Sequence, residues 1–169
     1  MTRTAFQPFL LLACLALAGC ACGDAFMPVA GETPHAMQLR YLDWSAHRPG
    51  WSHSASGLLY RRIGDAHPSG AVPKPDSIVT VACDGHFVDG KPFFATEPDK
   101  PLVAPVTKFI KGWQEGLLLM HAGESFEFVL PPDLAYGEKG RPPQIPPDAA
   151  LLFKIELLAV VQPSERTAP

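Results

Sequence analysis

Leu151, Phe153, Ile155 and Leu157 recur at every second position of residues 151–161, the period of a strand with one buried face. Residues 58–63 and 125–130 also read as strands, and residues 78–83 form a run rich in β-branched side chains. Asp89-Gly90 is a tight-turn signal between that run and residues 91–94, which predicts a hairpin. The period changes at Phe109, Ile110, Trp113 and Leu117, which fall on one helical face and predict a short amphipathic helix within 107–119. Gly112 and Gly116 argue against a longer one. Residues 64–75, with Pro68, Gly70, Pro73 and Pro75, and residues 131–150, rich in Pro, Gly and charge, read as loops. Over residues 23–57, Pro28, Gly31, Pro34, Pro49 and Gly50 are expected to interrupt any long helix, leaving a tether and a short lead-in. No internal repeat is visible. Several antiparallel strands, one short helix and a long ordered loop before the last strand predict an α+β domain.

With 169 residues and 47% hydrophobic content, the chain can bury one ordinary core. The net charge of −3, with no cationic run longer than Arg61-Arg62, disfavours nucleic-acid binding. The six histidines are scattered without ligand spacing, so neither a metal nor a cofactor is expected. No Gly-rich phosphate loop, Ser-centred elbow or Cys-His pair can be placed.

The N-terminus reads as an export signal: Arg3 is its positive end, residues 9–17 its apolar run, and Ala18-Gly19 its small residues. That run is too short to span a bilayer comfortably. Leu17-Ala18-Gly19-Cys20 resembles the bacterial lipobox, which implies cleavage before Cys20 and lipid attachment to it, including a palmitate-type acyl chain. An ordinary signal peptide cleaved a few residues later is the other reading. Ala21 lacks the Asp linked to inner-membrane retention in many lipoproteins, so an outer-membrane anchor facing the periplasm is favoured. Of four cysteines, Cys14 would leave with the signal and Cys20 would carry lipid, so only Cys22 and Cys83 remain as thiols and no disulfide framework is implied.

Four stretches then occur in register: Lys108-Phe109-Ile110-Lys111-Gly112-Trp113, Leu134-Ala135-Tyr136-Gly137, Gln144-Ile145-Pro146-Pro147-Asp148-Ala149, and Leu151-Leu152-Phe153-Lys154-Ile155-Glu156-Leu157-Leu158. In that order the chain, from about residue 57 to 161, resembles the FKBP-type peptidyl-prolyl cis-trans isomerases. The resemblance implies a curved antiparallel β-sheet wrapped around the helix, with a cavity between them. Tyr41-Leu42-Asp43, Arg48-Pro49-Gly50-Trp51 and Ser56-Gly57-Leu58-Leu59-Tyr60 resemble the entry segment of the macrophage-infectivity-potentiator branch. There is no room for that branch's long dimerisation arm, so a monomer is expected. The expected organisation is a signal peptide (1–19), a tether and lead-in (20–56), an isomerase domain (57–162) and a tail (163–169).

Rotation about an Xaa-Pro bond is slow because it breaks amide resonance, at a barrier of about 18–20 kcal/mol. Catalysis needs only a pocket that binds the twisted amide better than either planar isomer. The resemblance places Trp113 under the proline ring, with Phe93, Phe109, Ile110, Ile145 and Phe153 as walls. It has the Tyr136 hydroxyl and the Ile145 backbone N–H donating to substrate carbonyls, beneath a flap around 136–147. Taken singly, Trp113, Ile110, Phe109 and Phe153 read as core residues. Tyr136 stands apart because it sits in a Pro/Gly loop.

Three departures from the family pattern bear on activity. Phe94 stands where a pocket carboxylate is usual, Cys83 where a pocket Tyr is common, and Leu102 in place of a Phe, with Gln144 replacing an apolar neighbour of Ile145. Reduced turnover and weakened binding of macrocyclic inhibitors are expected. Cys83 reads as an inert small hydrophobe, with a reactive thiol as the alternative. Two functions therefore stand: an exported isomerase acting on Xaa-Pro-containing polypeptides, with apolar residues preferred before proline, or a client-binding or chaperone module on the same scaffold with little turnover.

Overall fold

The computed structural model describes residues 26–27, 29–67 and 69–163. The expected export signal (1–19) with Cys14, the following Cys20 and Cys22, and the tail after residue 163 lie outside the described residues. Seven strands, β1 (Ser52–His53), β2 (Leu59–Ile63), β3 (Ile78–Phe87), β4 (Pro92–Ala95), β5 (Leu102–Pro105), β6 (Ser125–Leu130) and β7 (Leu151–Val161), form one sheet. The order is β1-β2-β6-β7-β3-β4, with β5 also paired to β3, and every described pairing is antiparallel. The helices are α1 (Pro34–Ala46) and α2 (Lys111–Leu117). This is the α+β arrangement expected, with the sheet covering α2.

The strands follow from alternation. Leu151, Phe153, Ile155 and Leu157 are all buried on the α2 side of β7, as their spacing predicts. β3 is the spine, pairing with β7 along one edge and with β5 and then β4 along the other. Where β4 ends, Thr96 completes that edge: its Oγ1 accepts from the Cys83 N–H at 3.0 Å, and its own N–H donates to the Cys83 carbonyl at 2.9 Å. Register shifts at Thr80/Val81 and Gly85/His86 bend the spine, which curves the sheet around the helix.

α2 sits close to the sheet because its inner face has glycines one turn apart. A Cβ at Gly112 would stand 2.5 Å from the Leu130 side chain, and one at Gly116 would stand 2.5 Å from the Phe128 ring. Trp113 and Leu117 flank these gaps and are buried.

The expectation for residues 23–57 is corrected by α1. Pro34 starts this helix instead of breaking it: Thr33 caps the first turn, accepting from the Ala36 N–H at 3.2 Å, and Pro occupies a position where its missing N–H costs nothing. The helix docks on the domain through Gln38, whose side-chain oxygen accepts from the Ala150 N–H at the start of β7. Phe26, Tyr41 and Trp44 form a small aromatic cluster beside it. β1 and β5 are likewise absent from the sequence expectation.

Glu124 clamps the turn before β6 to the loop that follows β2. Its carboxylate accepts from the backbone N–H groups of His121 at 2.8 Å and His67 at 3.1 Å, and pairs with Arg62 at 3.0 Å. Burial pushes its pKa up, but those N–H groups, the His121 ring and Arg62 outweigh it and hold the carboxyl below its ordinary value. Since the folded pKa is depressed, the clamp is fully stabilising above the unfolded value of about 4.3 and is lost as pH falls through the folded pKa.

Two outcomes are expected. Gly116→Ala gains about 1 kcal/mol of helix propensity but forces a methyl into the Phe128 ring, for a net loss of about 1 to 2 kcal/mol in denaturant unfolding. Glu124→Gln lowers the melting temperature at neutral pH, and its deficit against the parent narrows as the pH is taken below 4.3, about the unfolded value.

Candidate active site

The cavity between α2 and the sheet has a volume of about 350 Å³. Its floor is the Trp113 indole, carried into it because the preceding turn, Val106–Lys108, leads directly into α2. Phe153 of β7 meets Trp113 edge to face at 5.1 Å between centroids, and Phe93 of β4 meets Phe153 edge to face at 5.5 Å. Phe109 also packs against Trp113, at 5.0 Å between ring centroids. These aromatic contacts hold one another at preferred geometries, so the floor is fixed before any ligand arrives. Gly85 on β3 makes room for them, since a Cβ there would stand 2.9 Å from Phe93 and 3.0 Å from Phe153.

Ile110, Tyr136 and Ile145 complete the apolar walls, and Leu102, Phe94 and Gln144 stand at the rim. Phe94 is 43% exposed, which makes it a rim residue and not a wall. The Trp113 indole N–H is buried with no acceptor among the described residues.

Two residues that line this apolar space carry hydrogen-bond donors with no described acceptor. Among the described residues nothing hydrogen-bonds the Tyr136 hydroxyl, which leaves it available to a ligand carbonyl. The second donor is not the one expected. The Ile145 N–H is already engaged, donating to the Arg141 carbonyl at 3.0 Å while the Arg141 N–H donates back to the Ile145 carbonyl at 2.8 Å. This reciprocal pair closes the flap into a tight loop. Gly140, at φ 60°, permits the closure, because a Cβ there would fall 2.5 Å from the Ile145 carbonyl oxygen. Ile110 lines the same cavity, and its N–H donates to no described group while its carbonyl begins α2. The Ile145 N–H expected as the second donor is thus engaged, whereas among the described residues the Ile110 N–H is not.

The sequence of residues 70–158 matches the family described as FKBP-type peptidyl-prolyl cis-trans isomerase. The chain belongs to the FKBP family. It is 36% identical over 124 residues to the FKBP-type 22 kDa peptidyl-prolyl cis-trans isomerase of Escherichia coli, covering 73% of this chain and 59% of that protein. It is 40% identical over 121 residues to the outer membrane protein MIP of Legionella longbeachae, covering 71% of this chain and 51% of that one. The chain thus spans about half to three fifths of the length of these two relatives. Among solved structures, FkpA from Escherichia coli superposes with a TM-score of 0.70 at 35% identity, over 75% of this chain and 59% of that one. A peptidyl-prolyl cis-trans isomerase from Pseudomonas syringae superposes with a TM-score of 0.69 at 29% identity, over 78% of this chain and 98% of that one.

Against the FKBP pattern, the structure gathers Tyr136, Trp113, Phe153, Phe93, Phe94, Leu102, Phe109, Ile110 and Ile145 around one cavity. Cys83 is not among the lining residues, which corrects its placement as a substrate contact. It is buried in the core on β3, where burial, and secondarily the Asp84 charge, push its thiol up to about 12. Two cationic lining residues, Lys108 and Arg141, were missed. Each adjoins a residue or loop already singled out, Phe109 and the flap, but exposed charges in such positions ordinarily read as solvated surface.

Cys83 is accordingly expected to resist alkylation at pH 8 in the folded protein and to react fully once denatured. Mass analysis of the peptide containing it checks this, and rapid labelling of the folded state would contradict the buried placement.

Proposed function

We propose that this FKBP-family chain is a peptidyl-prolyl cis-trans isomerase acting on Xaa-Pro-containing polypeptides outside the cytoplasm, with residues 57–162 as its catalytic domain. The observation that carries this reading is a fixed aromatic floor in a cavity also lined by Tyr136 and Ile110, whose hydroxyl and backbone N–H are unengaged among the described residues. A proline ring seated on Trp113 loses water from around its amide. The planar amide is strongly dipolar and well solvated, whereas the twisted one has lost resonance and polarity at its carbonyl. Dehydration therefore raises the planar ground states more than the transition state. The two donors hold carbonyls on the substrate chain, so one side of the bond is fixed while the other turns. The aromatic floor grips the ring by shape, and the cycle needs no covalent step.

The lipobox-like stretch supports export and anchoring through lipid on Cys20, and the name of the Legionella relative supports an outer-membrane location facing the periplasm. Among the described residues no helix is long and apolar enough to cross a membrane. We take it to act as a monomer, since among the described residues α1, Pro34–Ala46, is the only helix before the domain. The second reading, a client-binding or chaperone module with little turnover, is favoured by one observation: Phe94 occupies the rim where a carboxylate would orient pocket hydrogen bonds.

A protease-free isomerisation assay tests the site. Tyr136→Phe removes one neutral hydrogen bond to the reacting chain and is expected to lower kcat/KM by about two- to tenfold. Trp113→Leu removes the floor and is expected to cost more. Phe94→Asp is expected to raise turnover and macrocycle affinity. Unchanged turnover in the first two variants would remove the site from this cavity, and an unchanged rate in the third would show that the lost carboxylate does not limit activity.

A further inference from the structure

The residues lining the cavity include two positive charges, Lys108 and Arg141, and no negative one. They approach from different elements, Lys108 from the turn before α2 and Arg141 from the flap. Five other cations are paired, Arg40 with Glu32, Arg61 with Glu127, Arg62 with Glu124, Lys91 with Asp89 and Lys100 with Glu97, but none of these lines the cavity. Lys108 and Arg141 form no ion pair with any described carboxylate. The Arg141 guanidinium stands over the Tyr136 ring, 6.0 Å from its centroid. Phe94 at the same rim provides no counter-charge.

An extended peptide whose proline sits on Trp113 must leave the cavity past this rim. We propose that the site selects Xaa-Pro segments with an acidic side chain immediately flanking the pair, the carboxylate pairing with Arg141 or Lys108 while the pair itself fills the apolar floor. This rests on the isomerase reading for where the peptide lies and adds the chemical class of segment it takes. The protein as a whole carries −3, so its overall field opposes acidic peptides. The attraction is therefore local and depends on where the acid is placed.

The test uses the full chain and peptides with a constant Leu-Pro pair, carrying Glu, Gln or Lys directly before Leu or directly after Pro. Both isomerisation rate and binding, read by anisotropy of a labelled peptide, are measured. The Glu peptide is expected to exceed the Lys peptide by about three- to tenfold in at least one of the two positions, as exposed ion pairs allow. The difference should vanish when Glu is moved several residues away, and in high salt, where screening length falls to about 3 Å. In a Lys108→Gln, Arg141→Gln variant with unchanged circular dichroism the ratio should fall to about one, and Lys108→Glu with Arg141→Glu should reverse it toward the Lys peptide. Equal rates and affinities for all three peptides would overturn the proposal while leaving the isomerase reading standing, and so would a preference that persists in the Gln variant. Ordered binding without turnover would support the charge selection and overturn the isomerase reading. No binding and no turnover with any peptide would overturn both.

Discussion

The closeness of α2 to the sheet is the constraint on which the rest of the molecule depends. Gly112 and Gly116 let the helix backbone settle onto Leu130 and Phe128 at a separation where no Cβ would fit. That approach brings the Trp113 indole, between the two glycines, edge-on against Phe153 on the neighbouring strand. Were the helix displaced by the thickness of a methyl group, the aromatic contacts would open and water would enter the floor. Packing and proposed function thus share one cause, because the same tight contact that stabilises the domain holds the aromatic floor in place.

Above this floor the chemistry changes character within a few residues. The walls are apolar, the two available donors are neutral, and the charges stand at the rim. Such layering suits a reaction in which the reacting amide becomes less polar on its way to the transition state, since the donors and charges act only on flanking parts of the chain. The branched pairing of β3 makes the layering possible: β4 and β5 share one of its edges, so Phe93, Phe94 and Leu102 are delivered to the same side of the cavity from two separate strands. Thr96 covers the interval between them and leaves Cys83 sealed in the core behind.

The strands of the core were legible in the sequence because period-two alternation reports burial directly, whereas the cavity residues stood out only through the FKBP resemblance, since Trp113, Ile110, Phe109 and Phe153 taken singly read as core. What escaped depended on tertiary placement. Pro34 was read as a helix breaker, although its position after Thr33 makes it a helix starter. Gly112 and Gly116 were read only as poor helix formers, since close approach to a sheet leaves no local trace. β5 has four residues and ends on Pro105, too short to show alternation. The free donor could not be assigned between Ile145 and Ile110 without the flap bond that engages one of them. Lys108 and Arg141 are far apart in sequence and become a pair of rim charges only in the fold.

The account rests on catalysis and not merely binding, and exchange spectroscopy on a proline peptide at equilibrium separates the two. With a substoichiometric amount of the full chain, the cis-trans exchange rate should rise in proportion to protein concentration while the ratio of the two isomers stays fixed. Exchange no faster than the uncatalysed background, with one isomer's resonances shifted or broadened by binding, would contradict the account and leave a client-binding module in its place.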